Sequence, residues 1–454
     1  MDYFVKDKGF YKKMIGIGLP IAAQQLITAG VNMVDTIMLG HVSETVLAAV
    51  SLGAQVHLMS NYIGMGVGGG ANTLIARYWG AKDEKSLRMS ITIAFRLIFG
   101  VMAFYTLLVG IFPIQTMQIM TTDPQVAAEG VRYLQWSVPC YLLVGLTTVA
   151  ACVLRNIGKS RIPLYASIGA FFVNIFFNWM FIFGKLGAPA MGIAGAALGT
   201  LISRVFEAAF VLGYLFLIEK NVKYRIRDLL KPCRKLLGEF SKITIPVMIS
   251  DTLWGIATSL LSAVGGRISE AFMAAASITA VLQNFIVIFN LALGQSSQIM
   301  LGNVLGENKM DEVRRLCRTF IFLGFAISIL MGMLLVLFAN PILDGYQLSD
   351  STRAVGLELI YAQAISLVFM IPASIMVKGI IRAGGDTRFL MSTDLVFIWC
   401  FSIPLGYLTG VVLHWSPFIV FLFLRIDNLL KFIACMLRYR GNKWIKVIKG
   451  CDAI

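Results

Sequence analysis

The run AGVNMVDTIMLG, residues 29–40, places Asp35 among apolar side chains. A carboxylate at the centre of a membrane-spanning helix costs roughly 2.5–3.5 kcal/mol on insertion scales, so it needs partners. The segment NIFFNWMFIFG, residues 174–184, offers two of them. Asn174 and Asn178 stand one helical turn apart and share a face. At 1.5 Å per residue, Asp35 lies roughly 33 Å along its helix from Lys13, and the two asparagines about 20 and 26 Å from Arg161. Thr200 enters from the opposite side at a matching depth. One carboxylate, two amides and a hydroxyl make an oxygen-rich nest suited to Na⁺ or to a proton. Each Asn or Thr alone would equally serve as an interhelical hydrogen bond.

Other polar groups in apolar runs have two readings. Asp251, in VMISDTLWG, is either a seat for a cationic substrate or a structural hydrogen-bond acceptor. Gln24, Trp254 and Gln283 are the accompanying candidates for substrate contact. Arg204 and Glu207 are three residues apart, and Asp427 and Lys431 four apart, so each pair is expected to close a structural ion pair along its helix. Arg96 and Asp394 are placed near cytoplasmic helix ends, where they are expected to snorkel. His41, His57 and His414 lack metal-ligand spacing, so no metal beyond a possible Na⁺ at Asp35 is expected. The glycine cluster GMGVGGGAN, residues 64–72, lacks the Lys-Ser/Thr of a phosphate loop and reads as close helix packing. No nucleophile-base set appears, so the chain is not expected to be an enzyme.

The elements that position these groups are membrane helices. Hydrophobic residues make up 58% of the 454, and charged ones 14%, where an ordinary soluble domain has about 25%. The mean hydropathy is +0.78. No period-2 alternation persists, which excludes a barrel. Twelve runs are long enough to span: about 15–39, 46–76, 89–112, 131–154, 163–184, 192–218, 243–265, 272–303, 317–339, 356–380, 389–411 and 417–437. The second and eighth exceed a span and are expected to tilt or project. The first follows a basic start without a small-residue cleavage site and reads as an uncleaved span. The seven scattered cysteines read as free thiols.

The net charge of +15 suggests nucleic acid until its distribution is considered. Lys6, Lys8, Lys12 and Lys13, the eight basic residues of 220–242, and Arg438, Arg440, Lys443, Lys446 and Lys449 all fall on one face of a twelve-span chain. By the positive-inside rule that face is cytoplasmic, with both termini. Nucleic acid is therefore not an expected partner; the lipid bilayer is.

The chain also repeats itself. Aligning residues 18–44 with 244–270 pairs Pro20 with Pro246 and Gly40 with Gly266. The same offset pairs Gly80 with Gly306, and LRNIGKSR (154–161) then meets IRAGGDTR (381–388). Six spans per half insert in one orientation, which makes a parallel repeat about an axis along the membrane normal. The expected organisation is an N-terminal six-helix bundle over 1–219, a basic cytoplasmic linker or hinge over 220–242, a C-terminal bundle over 243–437 and a basic tail over 438–454.

VDTIMLG in the first span, NIFFNWMFIFG…GAPAMGIAGAALGT (174–200) and IRAGGDTR together resemble the multidrug and toxic compound extrusion (MATE) transporters over nearly the whole chain. In the first and fifth spans the likeness is closer to DinF-like than to NorM-like members. Asp35, Asn174 and Thr200 match the DinF-like pattern, while Asn178 stands where those members carry a second Asp. The NorM-like carboxylates of the seventh and tenth spans are not matched, Asp251 lying about a turn away. The resemblance implies two six-helix bundles, efflux of small organic, often cationic or amphipathic compounds by alternating access, and exchange for H⁺ or Na⁺ without a cofactor. It implies a monomer in the cytoplasmic (inner) membrane. The rival reading is a flippase for a lipid-linked sugar precursor, which would need a strongly cationic cavity, whereas the basic residues here lie mostly in loops.

Overall fold

The computed structural model describes residues 4–5, 7–40, 44–346, 348–448 and 450. Lys6, His41, Ser43, Lys449 and Cys451 lie outside the described residues. Eleven helices among the described residues are long and apolar enough to cross a membrane. They are α1 (Lys8–Gly40), α2 (Thr45–Gly80), α3 (Glu84–Ile111), α4 (Pro124–Asn156), α5 (Arg161–Phe183), α6 (Ile193–Ile218), α7 (Arg234–Gly266), α8 (Glu270–Gly306), α9 (Met310–Asp344), α10 (Asp350–Ile381) and α11 (Thr387–Val412). The twelfth apolar run is also helical but comes in two pieces, α12 (Pro417–Leu424) and α13 (Ile426–Arg440). The break is Arg425, at φ −116° and ψ 11°, whose guanidinium donates to Gln283 Oε1 at 2.7 Å. Strand pairing among the described residues is confined to one antiparallel bridge, Gly385 with Ile445.

The chain divides into two compact units. One comprises Leu19–Ile75 and Asp83–Ser241; the other takes the chain up to Gly18, Ala76–Lys82 and Lys242–Lys449. In the first, an apolar cluster of Leu39, Val46, Ala49, Val50, Ile182 and Ile193 forms where the end of α1 and start of α2 meet the end of α5 and start of α6. The second has a matching cluster containing Val264, Phe272 and Ala275 at the α7–α8 junction. Phe272 and Ala275 stand at the repeat positions of Val46 and Ala49, so the duplication extends to packing. Pro20 and Pro246 both lie inside their helices, where each removes a backbone hydrogen bond.

Within the second unit the last turn of α2 crosses the last turn of α8. A Cβ on Gly80 would overlap the Asn303 carbonyl, and a Cβ on Gly306 would overlap the Arg77 carbonyl. The two glycines are the repeat partners named above, so each permits the approach of the other's backbone. Arg77 is anchored there, with Nε on the Ala383 carbonyl at 2.9 Å and Nη1 on the Lys446 carbonyl at 2.8 Å. The basic tail is accordingly not free: Trp444 is 1% exposed, and Arg438 pairs with Asp386 at 2.7 Å.

The basic segment 220–242, which reads as a hinge from sequence, is folded onto α3 up to Cys233, and the remainder starts α7. Glu219 accepts from the backbone N–H groups of Asn221, Val222 and Lys223. Tyr224 is fully buried, stacked on Phe95, with its hydroxyl 2.9 Å from Thr92 Oγ1. Arg96 is exposed, as a snorkelling side chain would be, and its guanidinium donates to the carbonyls of Leu229 and Lys231. Burial disfavours the charged form of Asp228, but Lys231 at 2.5 Å and the Arg225 N–H at 2.9 Å outweigh it and hold this carboxyl below its usual range.

Two outcomes follow. Gly80→Ala and Gly306→Ala press a methyl onto backbone that cannot rotate away, at about 1–3 kcal/mol or more; a thermal midpoint of the purified protein equal to wild type would refute the close crossing. Because the folded carboxyl of Asp228 titrates below the unfolded value of roughly 4, its support is complete above that value and is lost as pH falls through the depressed one. Hydrogen exchange in 220–233 should therefore be protected at neutral pH and accelerate in acid, with Asp228→Asn removing the pH dependence.

Candidate functional site

In the first unit α5 and α6 are drawn together by Gly195 and Gly199, a small-xxx-small spacing that lets helix backbones approach. Gly195 lies against the Phe181 carbonyl, and a Cβ on Gly199 would strike Asn178 Oδ1. The missing side chain at Gly199 thus leaves room for the Asn178 amide, which is fully buried with Asn174. Asn178 Nδ2 donates to Asp35 Oδ1 at 2.5 Å and to Asn174 Oδ1 at 3.2 Å. Asn174 Nδ2 donates to Thr200 Oγ1 at 3.4 Å. All four residues expected at a cation or proton site thus form one connected group. Asp35 is partly exposed, whereas the asparagines are sealed. Asn178 Oδ1 is buried and has no hydrogen-bond partner among the described residues.

A second polar chain lies beside it. Arg204, one turn after Thr200, pairs with Glu207 at 2.7 Å as the helical spacing predicts. Glu207 Oε1 accepts from Ser167 Oγ at 2.8 Å, and Ser167 Oγ accepts from Gln24 Nε2 at 3.0 Å. Gln24 Oε1 in turn accepts from Arg155 Nη2. Gln24, a candidate for substrate contact, is therefore engaged inside its own unit. Thr28, Ser167, Thr200, Arg204 and Glu207, with Phe171 and smaller apolar groups, line a narrow open cleft.

The second unit holds a denser set of charges. Arg382 grips both oxygens of Asp251, at 3.0 and 3.2 Å. The structural reading of Asp251 has its partner, and an internal cation stands where a substrate cation was the alternative. Lys431 pairs with Asp427 at 3.1 Å, as four-residue spacing predicts, and with Asp394 at 2.9 Å. Asp394 corrects an expectation: it is 8% exposed, bound to Lys431 and to Ser250 Oγ, and does not snorkel. The Lys378 ammonium lies 5.0 Å above the Trp254 ring, so Trp254 faces a resident cation. Gln283 is taken by Arg425. Sequence reasoning left Lys378, Arg382 and Arg155 without roles. The available signal was a Lys and an Arg four apart at the end of an apolar run, facing one way in an α-helix. The last turns of α10, Ile375–Ile381, instead wind as a π-helix, which alters that facing.

The MatE family model matches residues 20–180 and 246–408. The multidrug resistance protein MdtK of Edwardsiella ictaluri is 24% identical over 422 residues, covering 89% of each chain. A probable multidrug resistance protein NorM of Pasteurella multocida is 24% identical over 408 residues, 87% of this chain and 85% of its own. Among solved structures, a MOP superfamily transporter from Pyrococcus furiosus superposes with a TM-score of 0.86 at 19% identity, covering 96% of this chain and 97% of that one. An outward-facing multidrug resistance MATE family transporter gives 0.84 at 20% identity, with the same coverage. These two likenesses establish the fold.

The buried pair in the second unit makes a direct prediction. Arg382→Ala leaves Asp251 charged and unpaired, which costs about 3–5 kcal/mol. Asp251→Asn in the same chain should recover part of that loss in a double-mutant cycle of thermal midpoints. Additive losses would show that the pair contributes nothing.

Proposed function

Since this chain belongs to the MatE family, matched across both of its halves, we propose that it is a multidrug efflux antiporter of the inner membrane, driven by H⁺ or Na⁺. In this reading both termini face the cytoplasm, the protein acts as a monomer, and the bundles 1–219 and 243–437 alternate access to substrate. The substrates are small organic compounds, often cationic or amphipathic. The observation that carries the coupling is the Asp35–Asn178–Asn174–Thr200 group. Among Asp35, Glu207, Asp251, Asp394 and Asp427, Asp35 alone has no ion-pair partner among the described residues. Its charge is met by an amide donor, which leaves room for an external cation.

The orphaned Asn178 Oδ1 suggests how the group responds. Which amide atom faces Asp35 is set by the hydrogen-bond network. With Asp35 ionised and empty, Nδ2 donates to it. When Asp35 carries a proton or shares Na⁺, a half-turn of the amide presents Oδ1 instead, to accept that proton or coordinate that ion. The arrival of the cation thereby changes the contact between α1 and α5, the kind of differential interaction a two-state transporter needs. One charge crossing 100 mV is worth about 2.3 kcal/mol, enough for roughly a fifty-fold substrate gradient.

In proteoliposomes, drug efflux should respond to an imposed H⁺ or Na⁺ gradient. Asp35→Asn should abolish gradient-driven efflux while the protein remains monodisperse. Wild-type transport by Asp35→Asn would remove the site, and transport indifferent to both gradients would remove the antiport reading.

A further inference from the structure

Resting on the antiport reading, we propose that Glu207 is the seat for the positive charge of the substrate and that Arg204, once displaced from it, is the tethered cation that empties Asp35. The two residues form the charged part of the cleft, with Thr28, Ser167, Thr200 and Phe171 around them. Glu207 is fixed in place. Ser167 holds its Oε1, Gln24 holds Ser167, and Arg155 holds Gln24. Arg204 is held less firmly. Nη1 makes the 2.7 Å contact with Glu207, while Nε is buried with no acceptor among the described residues. Its side chain is 19% exposed, so the pair is reachable from the cleft.

A cation entering the cleft finds one anchored carboxylate and one movable guanidinium. If it takes Glu207, Arg204 loses its counter-ion in a low-dielectric setting, where an unpaired charge is expensive. Glu207 pairs with Arg204, and Asp35 is linked to Thr200 through Asn178 and Asn174. Arg204 also sits one turn from Thr200, which belongs to the Asp35 group. A long, rotatable stem allows the guanidinium to reach across that turn, and Asp35 has an amide donor but no cation of its own. A guanidinium and a coupling ion cannot both neutralise one carboxylate. Substrate binding therefore expels H⁺ or Na⁺ without the substrate touching Asp35. The charges at the two carboxylates balance: they face Arg204 and one further cationic group in either state, so one positive group of the substrate exchanges for one coupling cation. Glu207 recognises an aromatic amine or amidine, with Phe171 available to the ring. Arg204 is a positioning residue that acts through Asp35.

The test uses the full-length protein in detergent and in proteoliposomes, with the fluorescent aromatic diamidine DAPI as probe. Its affinity is measured with and without Na⁺, in acidic and alkaline buffer. In wild type, saturating the coupling cation should weaken DAPI binding by about tenfold or more, the size of an ordinary coupling. Arg204→Gln should reduce that shift to about twofold or less, while Arg204→Lys, which keeps a tethered charge, retains it. Glu207→Gln should weaken DAPI binding itself by at least about tenfold. A full shift in Arg204→Gln, or loss of the shift in Arg204→Lys as well, overturns the relay while leaving antiport intact. Absence of any cation effect on DAPI binding or flux in wild type would take down the antiport reading itself.

Discussion

A charge inside hydrocarbon must find a partner within the protein, and the rest of this structure is arranged around that constraint. Asp251, Asp394, Asp427 and Glu207 each meet it with a salt bridge to Arg or Lys. In each pair the carboxylate already has a cation, and removing one partner without replacing it is costly. Asp35 meets the constraint with the amide of Asn178. A neutral donor eases the cost of burial without supplying the opposite charge. Of these five carboxylates, Asp35 is the one met by a neutral donor and not by a cation, and Glu207 is the one whose ion pair lines the cleft.

The duplication shows how one scaffold accommodates both. Arg155 and Arg382 occupy equivalent places in the two halves, and each reaches the first helix of its own half. In the first half the receiving residue is the neutral Gln24; in the second it is Asp251. The second half thereby becomes an ion pair, while the first extends through Ser167 to Glu207 and Arg204. Packing is conserved between the halves where charge is not. Gly80 and Gly306 serve the same close crossing, and the apolar clusters at the two first-helix junctions use matching positions.

The loops divide in a similar way. The basic residues of 220–242 read from the sequence as a marker of membrane side, yet the segment also folds, because Glu219 and Asp228 cap its backbone and Tyr224 supplies a buried ring. Charge counting reads only the first of these properties. The tail behaves alike: it is basic, and Trp444 pins it to the turn after α10.

Whatever depends on periodicity within one helix was legible in the amino-acid order. The apolar runs, the six-plus-six duplication, the shared face of Asn174 and Asn178, and the Arg204–Glu207 and Asp427–Lys431 pairs all follow from 3.6 residues per turn. The meeting of Asp35 with α5 was also legible, since counting rises from the basic residue at the start of each helix gives matching heights. Contacts that require the rotation of one helix against another were decided only in three dimensions. Arg382 on Asp251, Lys431 on Asp394 and Gln24 between Ser167 and Arg155 are of this kind. So are the split of the twelfth run at Arg425 and the π-helical end of α10. A one-dimensional pattern specifies which face of a helix is polar but not which neighbour that face meets, because the azimuth of each helix is set by the packing of all the others.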